Sequence, residues 1–179
     1  MLISHKFKFI FIKTKKTAGT SIEIELNKIM AKTDTVTPIK PSHSEHIPRN
    51  YIYGNKKLFN HIRLRDLQKI ISQKIYQNYY KFCVEREPVE KCLSDFCMQK
   101  NSNYHNRNNK NLSWKEYLEI GKFPIDTEKY TDDDNSLCVD KILKYENLQE
   151  ELSEMSKILK FDFKNLTVNA KSGFREKID

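Results

Sequence analysis

The chain has 179 residues, with 32 Lys and Arg against 24 Asp and Glu, a net charge of +8. That length allows one domain with a real core and is short for two, and 38% hydrophobic with 11% aromatic residues excludes wholesale disorder. Four glycines and five prolines exclude collagen-like and low-complexity chains, while the basic balance points to an anionic partner of unspecified class.

Residues 7–12, Phe-Lys-Phe-Ile-Phe-Ile, are aromatic or β-branched toward both faces and predict a buried central strand. A polar loop, 13–21, leads to a helix over about 18–30, where Ile22, Leu26, Ile29 and Met30 recur at helical spacing. Residues 31–50 hold three of the five prolines and read as an extended excursion. A second helix fits 63–75, with Leu64, Leu67, Ile71 and Ile75 on one face, and Tyr79–Val84 is a second buried strand. Pro88 suits the first turn of a third helix, whose apolar stripe is Val89, Cys92, Leu93, Phe96 and Cys97. Asn101–Asn111, with six asparagines, is a loop. Ser113 and Glu116 form a capping box for a short helix carrying Trp114, Tyr117 and Leu118. After the solvated segment 131–136, Leu137–Tyr145 predicts a third strand and 147–160 a last helix, with Leu148, Leu152, Met155 and Leu159 at helical spacing.

Strands alternating with helices predict a single α/β domain over 1–179: a central parallel β-sheet flanked by helices on both faces. Cys83, Cys92, Cys97 and Cys138 form no CxxC pair and read as thiols of a reducing compartment. The longest apolar stretch, Phe9–Ile12, is far short of a membrane span and lacks a cleavage region, so a soluble, cytoplasmic chain is expected.

The loop after the first strand carries the chemistry. A strand feeding a Gly/Thr/Ser turn that opens a helix binds anions, because backbone N–H groups and the helix dipole both face the ligand. Gly19 permits close backbone approach, Thr17, Thr20 and Ser21 supply hydroxyls, and Lys16 supplies a mobile charge. The loop is neither a Walker A sequence nor a GxGxxG fingerprint. A plain capped turn uses the same residues.

Lys16-Thr17-Ala18-Gly19-Thr20-Ser21, directly after Phe9–Ile12, resembles the 5′-phosphosulfate-binding loop of sulfotransferases that use 3′-phosphoadenosine 5′-phosphosulfate (PAPS). It is most similar to the carbohydrate-type branch, whose loop commonly reads P-K-T-A-G-T-S; here Lys15 stands in the proline position. The resemblance implies a P-loop-like sulfotransferase fold and a 3′-phosphate site built from an arginine and, eight residues on, a serine. Arg86 and Ser94 have that spacing after the strand Phe82-Cys83-Val84, with Glu87 where the family has asparagine. An arginine there can fork onto phosphate while a serine donates from the helix.

Phe59-Asn60-His61-Ile62-Arg63-Leu64 is similar to the family's H-x-x-A stretch, which makes His61 the candidate base, with Leu64 in the alanine position. Val139–Leu148 resembles the late strand and helix that usually ends R-Y-E-N-L, with Glu146 a structural or capping carboxylate. Asn169–Lys177 resembles a basic C-terminal loop, where Lys171 and Arg175 would contact the donor.

The resemblance implies a sulfuryl transferase in which Lys16 neutralises the departing nucleotide, Thr17, Ala18, Gly19, Thr20 and Ser21 cradle the phosphosulfate, and His61 deprotonates an acceptor hydroxyl, carried by a carbohydrate. No metal is expected: His43-Ser44-Glu45-His46 has ligand-like spacing but sits in a proline-rich loop. Neither nucleic acid nor a membrane span is expected as a partner. The competing readings are a nucleotide kinase or other P-loop enzyme, a nucleic-acid-binding module, and a relative that binds the donor without turnover.

Overall fold

The Phe-Ile-Phe-Ile run sends alternate side chains to opposite faces, and the fold is built on that alternation. The computed structural model describes residues 1–101 and 110–167. In chain order its elements are β1 (Leu2–Ser4), β2 (Phe9–Ile12), α1 (Gly19–Asn27), β3 (Thr35–Val36), β4 (Ile52–Tyr53), β5 (Lys56–Lys57), α2 (Leu64–Gln68), α3 (Gln73–Asn78), β6 (Tyr80–Glu85), α4 (Pro88–Asn101), α5 (Trp114–Ile120), β7 (Lys141–Lys144) and α6 (Leu148–Leu159).

Phe9 and Phe11 join Phe82, Val84 and Leu143 in a cluster closed by Ile22 and Leu26 of α1 and by Leu148, Leu152 and Met155 of α6. Ile10, Ile12 and Cys83 point the other way, onto Leu64 and Leu67 of α2, with Ile75 of α3 packed against them. The sheet is therefore covered on both faces, as its apolar strands require. A smaller cluster of Phe96, Cys97, Leu112 and Tyr117 joins α4 to α5.

The central sheet has the order β3-β1-β2-β6-β7. β2, β6 and β7 run parallel, and β1 is antiparallel to both β2 and β3, so four of the five strands share a direction. The expected all-parallel sheet is thus corrected at one edge to a mixed one. The segment from His5 to Lys8 is too short for a crossover and can only turn the chain back. It carries no glycine, proline or asparagine; the buried carboxylate of Asp34 holds it, accepting from Ser4 Oγ at 3.1 Å and from the His5 and Ala31 amides at 2.7 and 2.8 Å.

Other boundaries shift for local reasons. The helix expected over 63–75 is two, because Ser72 leaves helical geometry and caps α3 through the Ile75 amide. Val89, assigned to the buried stripe of α4, is 64% exposed at the helix's first turn. The third strand begins only at Lys141, since Leu137 and Cys138 pair instead with Thr131 and Tyr130. The Ser113–Glu116 capping box forms as expected. All four cysteines are free thiols, and no helix among the described residues is long and apolar enough to cross a membrane. Lys171 and Arg175, and the middle of the 101–111 loop, lie outside the described residues.

Candidate functional site

The three parallel strands end side by side; the loop from Lys13 and the residue Arg86 follow directly from the carboxyl ends of β2 and β6, whereas His61 lies between β5 and α2. After β2 the loop is shaped by two non-glycine residues in the left-handed region, Lys16 at φ 61° and Ala18 at φ 56°. Ala18 is the N-cap of α1 and has no side-chain acceptor to offer the helix. The first-turn N–H groups at Gly19, Thr20 and Ser21 are accordingly directed out of the helix toward the loop. Left-handed residues in such a turn curl the backbone into a concave, anion-accepting shape, and holding alanine there costs about 1 kcal/mol or more.

Buried groups hold this shape from below. The Thr14 hydroxyl bonds the Val84 carbonyl of β6 and meets the Thr17 hydroxyl at 2.8 Å. Thr17 is fully buried and its hydroxyl is engaged with Thr14, so the sequence expectation that this hydroxyl faces a ligand is corrected. The Lys15 amide donates to Asp126 Oδ2 at 2.7 Å. Asp126, itself buried, also receives Lys91 Nζ at 2.9 Å and Lys129 Nζ. Burial alone would raise its carboxyl, but Lys129 and Lys91 hold it below the usual carboxylate range.

Lys13 runs beneath the loop. Its stem crosses α1 so closely that a Cβ on Gly19 would lie 2.7 Å from Lys13 Cγ, which is why the helix starts with glycine. The Lys13 ammonium donates to Thr20 Oγ1 at 2.9 Å and pairs with the fully buried Glu23 at 2.5 Å. Glu23 also pairs with the Met1 amine, which donates to Thr37 Oγ1 at 3.0 Å and Asn60 Oδ1 at 2.8 Å. Burial would raise the Glu23 carboxyl, yet these two cations keep it below its ordinary value. Burial lowers Lys13 against the opposing pull of Glu23.

Arg86 follows β6. Its guanidinium lies 4.2 Å over the Tyr145 ring beyond β7, reaches the Lys16 carbonyl at 3.5 Å and pairs with Glu90 at 2.9 Å. Its Nε is buried without a hydrogen-bond partner. Lys16 Nζ approaches the Met98 thioether at 3.1 Å. Glu90, Ser94 and Met98 are spaced i, i+4, i+8 on α4, so the two cations reach one stripe of that helix with the half-buried Ser94 between their contacts. Lys16 and Arg86, separated in sequence, thus touch each other and the same stripe of α4 that carries Ser94.

Glu87, which departs from the family pattern, serves the helix locally, its carboxylate capping α4 at the Glu90 amide, 2.8 Å away. Glu146 accepts from the Glu87 amide at 2.8 Å and is a structural carboxylate.

His61, just before α2, contacts the Lys13 carbonyl through Nδ1 at 3.0 Å. A carbonyl only accepts, so Nδ1 carries the proton and Nε2 keeps its lone pair. Burial first, then Lys13 and Lys129, push the imidazole down to about 4. His43 accepts the Glu45 amide at 3.2 Å, while His46 is buried with neither ring nitrogen partnered. Among the described residues no group of three or more His, Cys, Asp or Glu is placed to hold a metal. A shallow cleft of about 170 Å³ bounded by Glu25, Ile29 and Phe163 lies at the opposite end of α1 from the loop.

Lys13, Glu23, Lys91, Asp126 and Lys129 are supports that the sequence pattern left unassigned. The legible signal was charge where burial is expected: Lys13 directly continues an apolar strand, and Glu23 lies between Ile22 and Ile24. Comparison of the chain with known protein families, curated proteins and solved structures finds no match in any of the three.

Proposed function

We propose that the protein transfers a sulfuryl group from PAPS to an acceptor hydroxyl, the acceptor being a carbohydrate. The observation that carries this reading is the contact of Arg86 with the Lys16 carbonyl, beside the curled loop at the head of α1 and the stripe of α4 that carries Ser94. A donor with a 5′-phosphosulfate and a separate 3′-phosphate needs two anion sites side by side. The loop with Lys16 supplies one and Arg86 with Ser94 the other. Arg86 Nε, buried and unpartnered, is a donor suited to a phosphate oxygen.

Sulfuryl transfer is an in-line displacement: the acceptor oxygen bonds to sulfur as the bond from sulfur to the 5′-phosphate oxygen breaks. Lys16 neutralises the charge that collects on that oxygen, and the loop amides fix the phosphosulfate in place. His61 Nε2 takes the acceptor's proton, while Nδ1 stays tied to the Lys13 carbonyl so that the ring keeps its tautomer and aim.

Adenosine 3′,5′-bisphosphate at about 100 times its Kd should stabilise the protein by about 2.7 kcal/mol, a rise in Tm of roughly 5–10 °C. Stabilisation by ATP with none by the bisphosphate would instead support a kinase-like P-loop enzyme.

The pH dependence is a second check. With its imidazole at about 4, His61 is neutral throughout the physiological range. The acid limb of kcat/KM, which reports the free enzyme, is expected near pH 4 and not near 6.5. Because the folded value lies below the unfolded one, His61 adds stability above about pH 6.5, and that contribution is lost as pH falls toward 4. His61→Ala should lose roughly 10²–10⁴-fold in rate and remove the limb; unchanged kcat/KM in that variant would exclude the base role.

A further inference from the structure

We infer that Lys13, held by Glu23, is a positioning residue that turns the Thr20 hydroxyl outward as a hydrogen-bond donor to the bound anion. This rests on the anion-binding reading of the loop and adds a residue that no motif in the sequence marks.

Donor and acceptor chemistry fixes the direction of each bond. An ammonium only donates, so in the 2.9 Å contact between Lys13 Nζ and Thr20 Oγ1 the hydroxyl is the acceptor. A threonine hydroxyl has one proton, and that proton is then left for a different acceptor. Polarisation by the adjacent cation makes it a stronger donor than an ordinary hydroxyl. Thr20 sits in the first turn of α1, where N–H groups already converge, so its proton adds to the same field.

The charge of Lys13 is matched locally by Glu23, at 2.5 Å with both side chains essentially buried. Lys13 therefore adds no mobile positive charge to the site; that part is left to Lys16. What it supplies is orientation. Gly19 is part of the same device, since any larger residue would push the Lys13 stem out of its track. The direction of the chain after Ile12 thus sets how a hydroxyl in the first turn of α1 is aimed.

A double-mutant cycle on the full chain separates aiming from mere support. Thr20→Val removes the hydroxyl at nearly constant shape, and Thr20→Ser retains it. Lys13→Met with Glu23→Gln removes the cation and its carboxylate together; the Met1 amine keeps Thr37 and Asn60 and, lowered by burial to about 6, can lose its proton in place of the Glu23 pair. Binding of adenosine 3′,5′-bisphosphate and of inorganic pyrophosphate is measured by calorimetry, with native circular dichroism as the check on folding. Thr20→Val should weaken bisphosphate binding about tenfold, and Thr20→Ser should stay within about threefold of the parent. In the Lys13→Met/Glu23→Gln background the further loss from Thr20→Val should shrink to less than about twofold.

If that double variant loses its native spectrum, Lys13→Gln/Glu23→Gln takes its place. Its amide donates more weakly, and the expected loss from Thr20→Val is about threefold. An equal loss from Thr20→Val in both backgrounds overturns the proposal and leaves the donor assignment standing. Pyrophosphate binding that shows the coupling, with no bisphosphate binding, supports the proposal and overturns the donor assignment. Binding of neither probe overturns both.

Discussion

Lys16→Ala is expected to reduce sulfuryl transfer by about 10²–10³-fold, while the Tm stays within about 2 °C of the parent. The first half follows from where the charge goes. In the proposed transfer step, negative charge would collect on the phosphate oxygen that leaves sulfur, and Lys16 is the cation assigned to it. The second half follows from what Lys16 does in the fold. It is half-buried on a loop and belongs to none of the three apolar clusters, and substitutions outside the core change stability little. Alanine at φ 61° meets the same left-handed strain as lysine, so the backbone term barely changes. Initial rates with labelled PAPS, beside a thermal melt, decide the matter. Turnover within about threefold of the parent would remove Lys16 from the mechanism.

Asp126→Ala should act on stability instead, by about 3–5 kcal/mol, or roughly 10 °C in Tm. Two lysines and a backbone amide converge on this buried carboxylate. Removing it leaves Lys129 without that counter-charge, Lys91 with Glu85 as its ion-pair partner among the described residues, and the Lys15 amide without its acceptor. Asp126→Asn keeps an acceptor for Lys15 and drops the charge, so it should fall between the two. The pH dependence has a definite sign. The folded carboxyl lies below its ordinary 3.8, so its contribution is complete above that value and is lost as pH falls through the folded pKa. Urea unfolding from pH 3 to 7 should show a smaller acid loss in Asp126→Asn than in the parent; identical slopes would mean the cluster does not carry this linkage.

The contrast between these substitutions reflects what was legible in the chain. Arg86 and Ser94 stood out only through the resemblance, on their eight-residue spacing. Lys16 and Gly19 stood out because a strand feeding a turn that opens a helix is a local pattern. The three parallel strands were readable for the same reason, as apolar runs of sufficient length. β1 and β3 were not, since three residues and two residues cannot show a period, and the turn between β1 and β2 is specified by Asp34 from far along the chain. Asp126, Lys91 and Lys129 look like ordinary surface charges in sequence; only their convergence makes them a buried cluster. Val89 failed in the opposite sense: an apolar residue at the right spacing is 64% exposed, while Lys91 in the same turn is buried in its ion pairs.

The bond from the Lys15 amide to Asp126 spans 111 positions of the chain, and that from Thr14 to Val84 spans 70. On a ribosome adding about 5–20 residues each second, Asp126 emerges roughly 6–22 s after Lys15. During that interval the first strand and the start of α1 exist without the groups that curl the segment between them. The loop after β2 therefore takes its final shape only once residue 126 has been made, well after the strand and helix that flank it.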